Sequence, residues 1–287
     1  MAERLPTAEP STPSQDDTGD RTLVTDRAGL RRVLVEITLL WLVVLLAIRA
    51  VVTLQESLGL HEALLALVPF LFIYGPVLLC KLRGADSYGY RLYVPAFRDL
   101  PAWRAALGVN LKLLAFGLVP WMLLYHLYQV QLFGHSPRLS NLLRYARKAD
   151  TTPWLADALG PLGADPWLLV AAHLAVLVAY HLFFVAIPEE FFYRGYLQTR
   201  LNEVFPRRFL VAGIPFGHAL WIAALFFAFG HSLVELQWWH FATFFPGLLF
   251  ALMRERSGGV ITGAFLHAAC NVIVHVQDAL YGVIAPP

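Results

Sequence analysis

Three short stretches of the chain carry polar side chains at spacings that could do chemistry. The first is Pro188-Glu189-Glu190-Phe191-Phe192-Tyr193-Arg194-Gly195. Glu190 and Arg194 stand four apart with the acid first, the order that favours an ion pair on one helix face. Its neighbour Glu189 projects about 100° away. The two carboxylates are therefore not expected to serve one partner, and Glu189 is left alone. A lone carboxyl in a low-dielectric setting is a usable general base or acid; the plain alternative is that both glutamates mark the water interface at a helix end. The second stretch is Phe227-Ala228-Phe229-Gly230-His231 and the third His267-Ala268-Ala269-Cys270-Asn271. His267 and Asn271 share one helix face, which His275 continues one turn on. Hydrogen-bonding groups stacked in an apolar helix are costly unless they share a target. His231 could equally be a satisfied structural residue, and His126, His173, His181, His218 and His240 show no consistent spacing.

Carboxylate, imidazole and amide, with no serine or cysteine nucleophile among them, suit the activation of water. Glu189 and His231 would orient and deprotonate it for attack on a peptide carbonyl. His267 and Asn271 would donate hydrogen bonds to the oxyanion, a contribution of about 3 kcal/mol per donor. Glu190 and Arg194 would hold the turn that aims Glu189. A zinc hydrolase is the chemical competitor, but the chain has no HExxH, and its ligands would have to come from three helices.

The elements that must deliver these groups are membrane spans. The chain is 58% hydrophobic and 15% charged, with a mean hydropathy of +0.58. Soluble proteins carry about 25% charged residues, so this one lacks the polar surface of a water-exposed globule. A cytosolic enzyme, a nucleic-acid binder and a disordered scaffold are excluded, and a net charge of +2 implies no polyanionic partner. Apolar runs near 33–53, 63–81, 105–129, 168–198, 216–235, 238–254 and 259–281 are long enough to cross about 30 Å of hydrocarbon. The expectation is an all-α polytopic bundle of about seven spans (six to eight), the fourth with room for an interfacial turn. Residues 1–28, with three prolines and four aspartates, read as a disordered cytoplasmic tail. Residues 29–287 read as the integral membrane domain, with a core at about 166–280. Cys80 and Cys270 sit in apolar stretches and read as packed thiols.

Basic residues set the orientation. The tail, the second–third, fourth–fifth and sixth–seventh connections hold Arg4, Arg21, Arg27, Arg31, Arg32, Lys81, Arg83, Arg91, Arg98, Arg104, Arg200, Arg207, Arg208, Arg254 and Arg256. The opposite side holds only Arg138, Arg144, Arg147 and Lys148, in the long 134–165 connection. The N-terminus is expected in the cytoplasm and the C-terminus outside. Counted from the cytoplasmic ends, Glu189, His231, His267 and Asn271 then lie at a common depth of about 12–22 Å. Glu36, Arg49 and Lys112, also within spans, are expected to reach the interface from near the span ends.

The stretches EEFFYR (Glu189 to Arg194), FAFGH (Phe227 to His231) and HAACN (His267 to Asn271) resemble the EExxxR, FxxxH and HxxxN motifs of one family. It is the CAAX-protease and bacteriocin-processing (ABI) family of intramembrane glutamic endopeptidases. The motifs stand in the family's order, and the resemblance covers about residues 166–280. It implies a helical membrane protease without a metal or other cofactor. The residue matching Glu189 would be the catalytic carboxylate, and that matching His231 would help activate water. Those matching His267 and Asn271 would line the oxyanion site. Eukaryotic members remove the last three residues of prenylated CAAX proteins, and some bacterial members process peptides. The EEFFYRGYLQ stretch followed by FPRR is similar to the myxosortase branch, which is thought to trim C-terminal sorting helices. The arginine-rich, lysine-poor composition suggests a bacterial source and an inner-membrane location.

The expected partner is a membrane-associated protein or peptide substrate within the lipid bilayer, and no nucleic acid. Two other classes stay open at this level. One is a non-catalytic immunity or partner-binding protein on the same fold. The other is a proton-coupled transporter, which the absence of inverted halves disfavours.

Overall fold

Apolar residues recurring every three or four positions call for helices, and the described residues form an all-helical bundle apart from one short hairpin. The computed structural model describes residues 27–59, 62–84, 99–148 and 166–283. The tail expected over residues 1–28 lies outside the described residues as far as residue 26.

Helix α1 (Arg27–Leu58) buries Val33, Ile37, Trp41, Val44, Leu45 and Ile48, a single stripe. Leu39, Val43 and Leu46, on its other side, face outward. A helix apolar all round but buried on one face is what a lipid-facing span requires. A 3-10 turn (Glu62–Ala66) leads into α2 (Leu67–Leu82), followed by α3 (Leu100–Phe133) and the short α4 (Leu139–Lys148). Helix α5 runs without a break over 166–202. The hairpin pairs β1 (Phe209–Val211) with β2 (Ile214–Phe216). Positive φ at Ala212 and Gly213 gives its two-residue turn the twist that suits a hairpin. Helix α6 (His218–Glu235), a 3-10 turn (Trp238–Thr243), α7 (Phe244–Ser257) and α8 (Ile261–Tyr281) complete the chain.

Helices occupy all seven predicted stretches, but among the described residues five are both long and apolar enough to cross a membrane: Arg27–Leu58, Leu64–Leu82, Trp103–Phe133, Trp167–Asn202 and His218–Glu235. The stretch at 238–254 is split between a 3-10 turn and the 14-residue α7. At 21 residues, α8 has the length, but Asn271, His275, Gln277 and Asp278 dilute its apolarity. The interfacial turn allowed for in the fourth stretch does not occur.

Neighbouring contacts fix the helix directions. Along α3 and α8, Asn110 donates to the Thr262 carbonyl (2.9 Å), Trp121 to Gln277 (2.7 Å) and Tyr125 to Asp278, so the two run parallel. Arg194 and Gln198 of α5 donate to the carbonyls of Gly247 and Ala251 of α7, also parallel. The Trp41–Phe226 ring contact and the Arg49 bond to the Val234 carbonyl (2.9 Å) make α1 and α6 parallel.

Glu36 is tied into the bundle. It accepts from Tyr196 (2.6 Å) and from Arg200 (3.2 and 3.0 Å) of α5, and pairs with Arg83 at the end of α2. One carboxylate thereby ties three helices, and Arg49 likewise finds a carbonyl inside the bundle. Lys112 is exposed. Glu36→Gln keeps the shape and removes the charge that three donors share. It is expected to cost about 2 kcal/mol, typical of bonds to a charged group, read as a lower midpoint in thermal unfolding of the purified protein. Both cysteines are free, as expected.

Candidate active site

Helix α5 owes its shape around the glutamates to Pro188. Proline has no N–H, and its ring crowds the carbonyl one turn earlier. The helix meets this by widening to π geometry over His181–Ala186, ahead of the α turn Ile187–Glu190; it is π-helical again over Phe191–Gln198. Such widened turns recur at functional sites because they re-aim side chains. Here every residue from Phe191 to Gln198 is buried.

Glycines on three other helices let this turn approach. A Cβ on Gly263 of α8 would stand 3.1 Å from Glu190 Oε2. One on Gly247 of α7 would stand 3.3 Å from Arg194 Nη2 and 3.2 Å from the Phe227 ring. One on Gly230 of α6 would overlap the Tyr193 hydroxyl. Gly230→Ala therefore forces Tyr193, 2% exposed, out of its place against the Phe227 ring. The expected cost is about 1–3 kcal/mol, with reduced activity, measured by melting curves and initial rates on the same preparation.

The spacing-based ion pair forms: Arg194 Nη1 lies 2.9 Å from Glu190 Oε1, with both side chains fully buried. The guanidinium also donates to the Gly247 carbonyl (2.9 Å) and stacks over Phe227, 4.3 Å from its centroid. The expectation that the two glutamates cannot serve one partner fails. His267 lies between them, with Nδ1 3.1 Å from Glu190 Oε1 and Nε2 3.9 Å from Glu189 Oε2. Diverging carboxylates can share an imidazole because its two nitrogens point in different directions. His231 reaches the same oxygen of Glu189 from α6, at 3.8 Å from Nε2. Its Nδ1 is 3.1 Å from the Phe227 carbonyl, which only accepts, so Nδ1 carries the hydrogen and Nε2 the lone pair.

Glu189 Oε2 is buried without a hydrogen bond, between two Nε2 atoms too distant to bond it directly. His267 lies flat against Phe250, with ring centroids 4.7 Å apart, and the Phe227 ring meets it edge-on. Two aromatic walls thus set its plane. The structure brings together Glu189, Glu190, Arg194, His231 and His267. Asn271 is half-buried one turn along α8 from His267, without a hydrogen bond to them. His275 is not joined to this group. Its Nε2 bonds the Tyr145 hydroxyl (2.8 Å), close to the rings of His181 and, through Tyr145, His173. Tyr193 and the three glycines escaped the sequence reading; the small residues on apolar helices were the only signal of close approach. Among the described residues no group of three or more His, Cys, Asp or Glu side chains is arranged to hold a metal ion.

Residues 171–273 match the family model described as Rce1-like, type II CAAX prenyl endopeptidase. The matched segment opens within α5, ends two residues past Asn271, and contains all three motifs. Neither the curated proteins nor the solved structures gave a match.

Proposed function

We propose, taking the Rce1-like match over residues 171–273 as the premise, that the chain is an intramembrane endopeptidase that hydrolyses a peptide bond with water activated by Glu189 and His231. The observation that carries this is the position of Glu189 Oε2: buried, unbonded, 3.8 Å from one imidazole nitrogen and 3.9 Å from another. With His231 Nδ1 turned to the Phe227 carbonyl, Glu189 Oε2 and His231 Nε2 are two lone-pair atoms facing each other across 3.8 Å. A water molecule supplies the two hydrogens such a pair demands.

In the reaction, Glu189 takes a proton from water as its oxygen attacks the scissile carbonyl, and His231 accepts the second hydrogen bond that orients it. The proton then passes to the departing amine, and the carbonyl carbon leaves as the new carboxyl terminus. The Asn271 amide donates to the oxyanion without any change of protonation. His267, its Nδ1 fixed on Glu190, turns Nε2 toward the same point and lines the oxyanion site beside Asn271. Glu190, Arg194 and the packed aromatics keep this geometry.

The substrate is a membrane-associated protein or peptide cut near a C-terminal membrane segment, within a cell membrane that holds the N-terminus in the cytoplasm. The test is incubation of the purified protein in lipid discs, in ¹⁸O-labelled water, with a prenylated CAAX peptide and an unprenylated peptide carrying a C-terminal transmembrane helix. One new carboxyl terminus carrying the label is expected, and the substrate that yields it identifies the class. Cleavage is expected to survive exhaustive chelation; loss on chelation with recovery on added zinc would favour metal hydrolysis instead. No cleavage of either peptide, with both intact after full incubation, would favour the non-catalytic module.

A further inference from the structure

Away from the glutamates, the ends of α1 and α2 enclose an open groove of about 620 Å³, lined by Ala28, Arg31, Arg32, Val35, Glu36, Leu79 and Arg83. Three arginines face a single acid, and that acid is already taken by Tyr196 and Arg200 from behind. Arg31 and Arg32 are exposed and have no hydrogen bond or ion pair among the described residues. Both α1 and α2 are candidate spans, so their adjoining ends lie where hydrocarbon gives way to headgroups.

We propose that this groove binds the phosphate of an anionic phospholipid. Guanidinium groups match phosphate oxygens bidentately, and a basic pocket between two spans at the headgroup level is the setting in which anionic lipids are held. Val35 and Leu79 offer apolar wall to the first carbons of the acyl chains. Arg83 stands in the groove and also pairs with Glu36, which holds Tyr196 and Arg200 of α5. A lipid seated there is therefore linked, through one carboxylate, to the helix that carries Glu189 and Glu190. The binding claim stands whether or not the chain is an endopeptidase.

Native mass spectrometry of the full chain in detergent tests it, with phosphatidylglycerol, phosphatidylcholine and inorganic phosphate as probes. Phosphatidylglycerol should be retained in preference to phosphatidylcholine and raise the melting temperature, and millimolar inorganic phosphate should not displace it. In an Arg31→Gln/Arg32→Gln protein retention should fall roughly 30-fold, the weight of two basic side chains near an anionic surface. Arg31→Lys/Arg32→Lys, which keeps the charge without the fork, should fall in between. Equal retention of the two lipids by the unaltered protein would overturn the proposal, as would displacement by inorganic phosphate or undiminished preference in the glutamine variant. So would a preference seen only after Asp16, Asp17, Asp20 and Asp26 are changed to Asn, which would make the chain's own acidic segment the occupant.

Discussion

Glu189→Gln is expected to leave a folded protein whose cleavage rate falls by about 10³-fold or more, the range a positioned general base supplies. The substitution keeps size and shape, and Oε2 makes no hydrogen bond that an amide would break. It also replaces a carboxyl in a setting where charge is expensive, so the melting temperature should hold or rise. The amide cannot take the proton from water, so neither His231 nor Asn271 compensates. His231→Ala should lower the rate by about 10²-fold while leaving Glu190, Arg194 and His267 in place. Initial rates and melting curves on the same preparations decide the matter. A glutamine variant retaining more than a tenth of the activity would remove Glu189 from the chemistry.

The second large effect falls on stability. Arg194 and Glu190 are both fully buried, and each is the other's counter-ion. Arg194→Met leaves Glu190 with only the His267 contact and should cost about 3–5 kcal/mol, the usual penalty of an uncompensated buried charge. Glu190→Ala should cost as much, since it strands the guanidinium and removes the partner of His267 Nδ1. Glu190→Gln/Arg194→Met, with no charge left, should be more stable than either charge-stranding single variant, because the desolvation of both ions is relieved together. Its activity should stay low, since the buried ion pair that fixes the His267 ring beside Glu189 is gone. Denaturant or thermal unfolding of the singles and the double measures this coupling, and strictly additive losses would contradict it.

Much of this site was legible in one dimension. Glu190 and Arg194 meet because four residues make about one turn, and that holds even where the helix is widened. The convergence of Glu189, His231 and His267 followed from a shared depth in separate helices. What eluded the sequence depends on long-range packing. Nothing in HAACN announces that His267 joins Glu190 as well as facing Glu189, because that bond spans 77 positions. The π-helical stretch His181–Ala186 arises from Pro188 acting on a helix confined by its neighbours, whereas a free helix could kink instead. The part Glu36 plays in the bundle was hidden because its partners, Tyr196 and Arg200, lie on a helix remote in sequence. The shortness of α7 was masked by an apolar run, Trp238 to Phe250, that changes from 3-10 to α geometry midway.

The most direct trial of Glu189-dependent peptide hydrolysis is a comparison of protein C-termini, by mass spectrometry of membranes from cells producing either the unaltered chain or Glu189→Gln at equal levels. The account predicts at least one membrane-associated protein or peptide with a shortened C-terminus in the first and its uncut form in the second. Identical C-termini in both, with the two proteins equally abundant and folded, would contradict it.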